Sequence, residues 1–147
     1  MEDFLSLDKQ LCFAVYETSS EFNKLYTSVL QPFGLTYPQY LVLLALWEKD
    51  EVTVKELGEK LNLGTGTLTP MIARMSDNDW LRKERSKTDE RKVHIYLQPK
   101  AIQEQQAITQ KIKEEILSCH INLQEYEQLL QQLKILQNKL KKRKGKV

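Results

Sequence analysis

The sequence predicts a mainly α-helical fold in which a helix-turn-helix is followed by a small β-hairpin wing, with long helices at both ends. Three observations support this prediction. Apolar residues recur at helical spacing over most of the 147 residues. A tight turn, Asn62-Leu63-Gly64, separates two short helical stretches. Residues 93–97 alternate like a strand, and a polar tip separates them from a second strand-like stretch at residues 80–85.

Two helices are predicted before the helix-turn-helix. The first covers residues 8–31, where no Gly or Pro interrupts an apolar pattern that includes Leu11, Val15, Leu25 and Val29. The second runs from Tyr37 to about Lys49 and is apolar on most faces, so we expect it at the centre of the core. Thr36 and Gln39 fit a capping box at its start.

The helix-turn-helix is predicted to follow a brief extended stretch, Glu51-Val52-Thr53. A second capping box over Thr53–Glu56 opens a helix that ends near Leu61-Asn62. The next helix must begin close to Thr65, because Pro70 lacks a backbone N–H and is tolerated only near the first turn. Threonine hydroxyls therefore crowd the N-terminal end of that helix, beside backbone N–H groups suited to anions.

A hairpin and two long helices are predicted after this helix. The strands cover Trp80 to Arg85 and Val93 to Leu97, and the residues between them form a polar tip. A helix then runs from about Pro99 to residues 118–120, with a stripe formed by Ile102, Ile108, Ile112 and Ile116. The last helix opens near Asn122 or Gln124. It carries a heptad seam that we expect to pack on the first helix or on a partner subunit, formed by Tyr126, Leu129, Leu133, Leu136 and Leu140.

Charge is distributed unevenly along the chain. The net charge is +2, but residues 139–147 hold six Lys or Arg and no acid, so residues 1–138 carry a net charge of −4. Residues 80–92 combine six basic residues with three acidic ones. A helix with hydroxyls at its N-terminal end, followed by a basic hairpin, indicates a DNA-binding unit. The basic tail is either a further phosphate contact or a solvated helix end.

We therefore expect one domain with three parts: an N-terminal dimerisation helix, a winged helix-turn-helix DNA-binding region and C-terminal dimerisation helices, at residues 1–36, 37–98 and 99–147. No run of about 18 apolar residues and no signal-peptide pattern is visible, so we expect a cytoplasmic protein without a membrane partner. Cys12 and Cys119 form no CxxC pair, which in a reducing compartment predicts free thiols or a switchable pair.

The order of these elements resembles the multiple antibiotic resistance regulator (MarR) family over essentially the whole chain. The local similarities are Asp89-x-Arg91 in the wing and Gly66-Thr67-Leu68-Thr69-Pro70 in the recognition helix. One departure follows the wing, where the family often has Leu-Thr-x-x-Gly and this chain has Leu97-Gln98-Pro99-Lys100-Ala101. A narrower similarity, to the organic hydroperoxide resistance regulators, rests on Gln10-Leu11-Cys12-Phe13-x-x-Tyr16, on Tyr26 and on Leu35-Thr36-Tyr37-Pro38-Gln39-Tyr40.

This resemblance implies a role for both cysteines. Regulators of that branch sense peroxide with one N-terminal cysteine whose thiolate is supported by tyrosine hydroxyls, which assigns Cys12 as the sensor and Tyr16, Tyr26 and Tyr37 as its partners. Cys119 resembles the resolving cysteine of the two-cysteine members, which forms a disulfide across the dimer. Helix geometry adds an argument for a dimer, because Tyr26 lies about 21 Å along a straight helix from Cys12 and can support only the cysteine of another subunit.

We expect a homodimeric repressor, with no cofactor or metal, that binds a pseudo-palindromic double-stranded DNA operator when reduced. An organic hydroperoxide would oxidise Cys12 to a sulfenic acid, and Cys119 of the other subunit would condense with it. The disulfide would re-space the two recognition helices. Residues expected to contact DNA, or to orient those that do, are Thr65, Thr67, Thr69, Pro70, Arg74, Lys87, Asp89 and Arg91.

Three other interpretations remain open. A regulator of the same fold could bind a phenolic or anionic small molecule between the dimerisation helices and the DNA-binding region, with Cys12 incidental. A thiol peroxidase is disfavoured because no βαβ frame, CxxC motif or carboxylate or histidine partner for the thiol is visible. A non-specific architectural DNA binder is disfavoured by the acidic body of the chain. His94 and His120 have no ligand spacing with the cysteines, so no metal site is predicted.

Overall fold

A computed structural model describes residues 2–143, with side chains from residue 4 onward. The long helices, the helix-turn-helix and the hairpin follow one another in the order that the sequence predicts. Within the described residues the helices are α1 Leu11–Leu30, α2 Tyr37–Glu48, α3 Val54–Leu61, α4 Thr65–Asp77, α5 Pro99–Ser118 and α6 Leu123–Lys142. The strands are β1 Val52–Thr53, β2 Leu81–Arg85 and β3 Val93–Leu97. The predicted fold class, mainly α with a winged helix-turn-helix, is confirmed. Residues 144–147 of the basic tail lie outside the described residues.

The first helix begins later than the sequence predicts. Residues Leu7–Lys9 form a 3-10 turn, and Gln10 is extended, so α1 starts at Leu11 rather than at residue 8. A further 3-10 turn, Gln31–Phe33, follows α1 and closes on Gly34, whose φ of 73° is readily adopted only by glycine. The chain thereby reverses and enters α2.

The core is built around α2, as the sequence predicts. The predicted capping box is present, since the Thr36 hydroxyl accepts from the Gln39 backbone N–H at 3.3 Å and the Gln39 side chain accepts from the Thr36 backbone N–H at 3.0 Å. At the other end of the helix the Trp47 indole donates to the Ala101 carbonyl at 3.1 Å, which joins α2 to the first turn of α5. Side chains of α2 buried in the core include Tyr40, Val42, Leu43, Ala45 and Leu46.

The sheet has three strands rather than the two of a simple hairpin. The stretch around Val52, expected only to be extended, is β1 and pairs antiparallel with β3, so that the strand order is β1-β3-β2. Asp50 reinforces this edge by accepting from the Leu97 backbone N–H at 2.9 Å. A two-residue strand gives almost no periodic pattern, which is why the sequence did not reveal it. Trp80, predicted to open β2, is a buried residue just before that strand.

The helix-turn-helix forms with one change to the predicted caps. Thr53 accepts from the Glu56 backbone N–H at 3.1 Å, but the Glu56 carboxylate accepts from the Thr53 hydroxyl instead of returning to the backbone, so only half of the capping box is present. The turn is tight because Gly58 lacks a side chain where a Cβ would meet the Leu63 carbonyl at 2.8 Å. The left-handed Asn62, with φ of 57°, completes the reversal.

The recognition helix α4 begins at Thr65, as predicted. Pro70 is its sixth residue and so lies in the second turn, one turn later than a proline is usually tolerated. The helix continues through Pro70, and the residue whose carbonyl loses its helical N–H donor, Gly66, is exposed, as is Pro70 itself.

The two long C-terminal helices have the predicted bounds. The stripe on α5 is corrected at its start, because Ile102 is 60% exposed while Ala101 and Ile108 are fully buried. Asn122 caps α6 by accepting from the Glu125 backbone N–H at 2.8 Å. None of the seam residues of α6 is buried in the single chain.

The described chain divides into two compact units, with the boundary between Lys111 and Ile112 inside α5. Among the described residues, no single helix has both the length and the apolar content to cross a membrane, although α1 with its following turn and α2, bent by 76°, meet those criteria as a pair. Six of the twelve residues of α2 are buried in the core of the first unit.

Two adjacent leucines of α2 test its role as the core helix. Leu43 is fully buried and Leu44 is 38% exposed. We expect Leu43→Ala to lower the free energy of unfolding by about 2–5 kcal/mol, because it leaves a cavity, and the matched Leu44→Ala to lower it by less than about 1 kcal/mol. Urea denaturation at one fixed protein concentration measures both. Equal losses would contradict the central position of α2.

Candidate functional site

The recognition helix α4 has three distinct faces. Its buried face consists of Leu68, Ile72 and Met75, which fix the helix in the core. A second face carries Thr65 and Thr69, which line a concavity next to the wing. The third face is exposed and carries residues spaced by three and four positions, namely Thr67, Pro70 and Arg74. The eight predicted DNA contacts therefore include two separate groups on this one helix.

The wing tip is held by its own side chains. The Asp89 carboxylate accepts from the backbone N–H of Arg91 at 3.1 Å and from its Nε at 3.2 Å. The Arg91 side chain nevertheless remains 91% exposed. Lys87 is also exposed at the tip. These contacts with Asp89 thus orient a cation that projects from the wing.

A concavity of about 790 Å³ lies between α3, α4 and the wing. Its basic lining exceeds its acidic lining, with Lys55, Lys83, Arg85, Arg91 and Lys92 against Glu56 and Glu59. Thr65 and Thr69 contribute hydroxyls from the side of α4. The surface can therefore hold an extended anion by charge and by hydroxyl hydrogen bonds.

Four of these basic residues were not among the predicted DNA contacts. Lys83 and Arg85 share one face of β2, while Arg82 and Glu84 of the opposite face pair with each other at 2.8 Å. Strand alternation alone could have singled out Lys83 and Arg85, because residues two apart point to the same side. Nothing in the sequence indicates that Lys55 of α3 faces the same concavity, since that depends on how α3 packs.

The predicted thiol site is divided along α1. Cys12 is an exposed free thiol in the first turn, where its sulfur lies 3.9 Å from the Gln10 side-chain oxygen. Tyr16, one turn further along, is 71% exposed. Tyr26 lies fourteen residues beyond Cys12 on the same continuous helix, which places it about 21 Å away along the axis.

Tyr26 and Tyr37 are brought together by the packing of α1 on α2. Their ring centroids are 4.9 Å apart, and the Tyr26 ring also lies 5.8 Å from that of Tyr40. Phe22 and Trp47 extend this aromatic cluster at 6.4 Å from Tyr26 and 6.3 Å from Tyr40 respectively. Two of the three tyrosines assigned to the thiol therefore sit at the far end of α1 from the cysteine of their own chain.

Cys119 lies just beyond the end of α5, in the second unit of the chain. It is an exposed free thiol whose sulfur donates to the Glu115 carbonyl at 3.4 Å. His120, which follows, adopts a left-handed conformation with φ of 62°. Among the described residues, no three His, Cys, Asp or Glu side chains are grouped as metal ligands.

Large apolar side chains remain exposed at both ends of the chain. Near the N-terminus they include Phe4, Leu5, Leu7, Leu11 and Val15. On α6 they include Leu123, Leu129, Leu130, Leu133, Ile135 and Leu140. Several exposed large apolar side chains within one segment are typical of surfaces that contact a partner.

Comparison with known proteins places the chain among transcriptional regulators. Residues 24–112 match the family described as "Transcriptional regulator SarA/Rot". The chain is 50% identical over 99 residues to the HTH-type transcriptional regulator TtmR of Methylorubrum extorquens, a match that covers 67% of this chain and 51% of that protein. It is 48% identical over 95 residues to the organic hydroperoxide resistance transcriptional regulator of Bacillus subtilis, which covers 65% of each chain. The chain thus spans between half and two thirds of these relatives.

The solved structures of AbfR, from Staphylococcus epidermidis, are similar over a larger share of the chain. The structure of reduced AbfR bound to DNA is 36% identical, with a TM-score of 0.82, and the match covers 92% of both chains. The structure of disulfide-formed AbfR is 38% identical, with a TM-score of 0.69, and the match covers 92% of this chain and 90% of that one.

Hydrogen bonds from the Arg91 backbone and then from its guanidinium hold the pKa of the Asp89 carboxyl below its usual value. The stabilisation of the wing by this pair is therefore fully present above the ordinary Asp pKa of about 4, and it is lost as the pH falls through the lower pKa of the folded state.

We expect an NMR titration to give a pKa for the Asp89 carboxyl that is lower than the ordinary Asp value. Arg91→Ala should raise that pKa only partly, because the backbone donor remains. Lys87→Ala is the matched control and should leave it unchanged. An ordinary pKa for Asp89 in the unsubstituted protein would contradict the observed contacts.

Proposed function

Because the chain belongs to the SarA/Rot family of MarR-like transcriptional regulators, we propose that it is a homodimeric repressor released from its DNA operator when organic hydroperoxide oxidises Cys12. The observation that carries the DNA-binding part is the exposed Thr67, Pro70 and Arg74 face of α4 beside a concavity lined with wing cations. The family consists of regulators, which argues against the thiol peroxidase alternative.

The faces of α4 suggest how the unit docks on DNA. The exposed face, with Thr67 and Arg74, enters the major groove and reaches base edges, where Arg is suited to bidentate contact with guanine. Thr65 and Thr69 turn instead toward the concavity, where its lysines and arginines neutralise the phosphates of the adjoining strand. Arg91 extends from the wing into the minor groove, whose narrow segments attract arginine.

Two copies are needed for tight binding. The local excess of positive charge in one wing is small, and the rest of the chain up to residue 138 is net acidic. A dimer that places its recognition helices about 34–36 Å apart reads two half-sites in successive major grooves. The exposed apolar residues near the N-terminus and on α6 supply the dimer interface. Reduced AbfR, which was solved bound to DNA, supports this proposal.

The thiol site is proposed to form between the two subunits. Tyr26 lies about 21 Å along α1 from its own Cys12, and its ring packs at a tilt against that of Tyr37, with the centroids 4.9 Å apart. An antiparallel arrangement of the two α1 helices would bring the tyrosine pair of one subunit to the Cys12 of the other. Tyr16, one turn from Cys12 on the same helix, would complete the hydroxyl set around the sulfur.

The proposed oxidation consumes one hydroperoxide for each disulfide. The Cys12 thiolate attacks the terminal oxygen of the hydroperoxide, the O–O bond breaks, and the alkoxide leaves as an alcohol after taking a proton. The product is a sulfenic acid on Cys12. The Cys119 thiolate of the other subunit then attacks this sulfur, and hydroxide leaves as water after taking the second proton. Two thiols and one hydroperoxide thereby give a disulfide, an alcohol and water.

The disulfide is proposed to release DNA by moving the recognition helices. It requires Cα atoms within about 7 Å of each other. Cys119 directly follows α5, the helix that leads from β3 of the wing, so a displacement of Cys119 would be transmitted along α5 toward the DNA-binding region. Disulfide-formed AbfR supports this proposal, as does the similarity to an organic hydroperoxide resistance regulator.

The redox step is tested with a duplex selected by the protein from a random library. We expect cumene hydroperoxide to abolish binding by wild type, and dithiothreitol to restore it. Cys12→Ser should bind DNA in the presence of the peroxide, because the first thiol is missing. Cys119→Ser should form no inter-subunit disulfide on a non-reducing gel. Tyr96→Phe, a substitution at a tyrosine of β3 outside the thiol set, is the control and should respond like wild type.

Two results would contradict this mechanism. If Cys12→Ser is released by peroxide like wild type, the thiol is incidental. If peroxide has no effect on wild type but a phenolic anion such as salicylate releases DNA, the small-molecule interpretation replaces the redox switch.

Base contacts and phosphate contacts can be distinguished, because only the loss of a base contact should reduce the preference for the selected duplex over random DNA. We expect Arg74→Ala to weaken binding to the selected duplex by about 1–3 kcal/mol and to reduce the preference over random DNA. Lys87→Ala, which removes a proposed phosphate contact, should weaken both duplexes about equally and reduce the salt dependence. Fluorescence anisotropy at several salt concentrations measures both effects. An Arg74→Ala protein with unchanged preference would show that this face of α4 does not contact bases.

A further inference from the structure

We propose that Lys100 is a positioning residue for the recognition helix: it anchors the C-terminal end of α4 to the first turn of α5, without contacting DNA itself. The inference rests on the proposed DNA binding. It concerns Leu97-Gln98-Pro99-Lys100-Ala101, the stretch in which this chain departs from the Leu-Thr-x-x-Gly pattern of the MarR family.

The ammonium of Lys100 makes two contacts at the end of α4. Its Nζ donates to the Asn78 carbonyl at 3.0 Å, and Asn78 is the residue that caps α4. The same nitrogen lies 4.5 Å from the centre of the Trp80 ring. Trp80 is almost completely buried, so its ring is a fixed platform for the cation.

The end of α4 leaves a carbonyl for this lysine to bind. The Trp80 backbone N–H bonds the Met75 carbonyl at 2.9 Å, and the Asp79 N–H bonds the Ser76 carbonyl at 3.1 Å. This is the Schellman pattern, which satisfies two of the four carbonyls that end a helix. The Asn78 carbonyl is a further one, and the negative end of the helix dipole attracts a cation there.

The cap also contains a strained residue. Asp79 stands at the left-handed position with φ of 66°, where Schellman caps usually have glycine. A non-glycine residue is strained in this conformation and persists only where its surroundings hold it. Lys100 supplies such a hold from the neighbouring helix.

The first turn of α5, which carries Lys100, is held in place by other contacts, so Lys100 can anchor the end of α4 to a fixed position. Pro99 is the first residue of α5, a position that suits its fixed φ. The Gln98 backbone N–H bonds the Trp80 carbonyl at 3.0 Å, and the Trp47 indole holds the Ala101 carbonyl at 3.1 Å. Lys100 therefore stands where the end of α4, the exit of β3 and the first turn of α5 meet.

This tether bears on DNA binding through Arg74. Arg74 and Asn78 occupy successive turns of the same helix, and the Asn78 N–H bonds the Arg74 carbonyl at 3.0 Å. Fixing the Asn78 carbonyl therefore limits the movement of the turn that presents Arg74. Without the tether, only a fraction of molecules would hold α4 in the orientation that both half-sites require, and the apparent affinity would fall by that fraction.

The test compares Lys100→Met, Lys100→Arg and the phosphate-contact control Lys87→Ala. Methionine keeps the apolar stem over Trp80 but removes the charge and the donor. We expect Lys100→Met to weaken binding to the selected duplex by roughly 5- to 30-fold, from the combined loss of the dipole and ring contacts. The slope of log affinity against log salt should stay at the wild-type value, because no phosphate contact is lost. Lys100→Arg should restore affinity to within about threefold, since arginine also donates and stacks.

Three results would overturn the inference. An unchanged affinity of Lys100→Met would show that the tether has no effect. A salt slope reduced as in Lys87→Ala would show that Lys100 contacts phosphate directly. A loss of affinity that matches a loss of helical circular dichroism in both Lys100→Met and Lys100→Gln would show general unfolding in place of positioning. If wild type selects no duplex at all, the proposed DNA binding fails, and the Lys100 inference fails with it. If wild type selects a duplex and one of the three results above is found, only the Lys100 inference fails.

Discussion

The amphipathic packing of α4 is the constraint on which the candidate site depends. Leu68, Ile72 and Met75 must be buried together, and their burial fixes the rotation of the helix about its axis. With that rotation set, Arg74 necessarily faces outward, and Thr69 faces the wing. The surface proposed to bind DNA is thus a consequence of the core. A rotation of α4 about its axis by one residue position would exchange buried and exposed positions. The core contacts and the proposed DNA-binding surface would then be lost together.

A second constraint is the rigidity of α1. A continuous helix keeps Cys12 and Tyr26 at opposite ends of the same element, so no rotamer change within one chain brings them together. The packing of Tyr26 against Tyr37 depends on α2, the core helix of the first unit. The proposed sensor therefore depends on the fold of each chain, which places the two tyrosines together, and on dimer formation, which would bring them to Cys12 of the other subunit. The exposed apolar residues near the N-terminus are consistent with that coupling.

The stretch that joins the wing to α5 connects the parts of the DNA-binding region. Trp47 of α2 and Asp50, which follows that helix, hold this stretch in place, and Lys100 fixes it to the end of α4. These contacts involve a carboxylate, an indole and an ammonium that each satisfy a backbone group of another element. The loop between the wing and α5 is therefore held by side chains from two other parts of the DNA-binding region.

The sequence by itself determined the helices, the hairpin and the start of α4, because periodicity, a capping box and Pro70 are local signals. It also determined that Arg91 and Asp89 share the wing tip, since they are neighbours in the chain. Only the tertiary structure decided the third strand at Val52, whose two residues are too short for a pattern. The same holds for the contacts of Lys55 and Lys100, because long-range packing brings residues together without a periodic trace in the sequence.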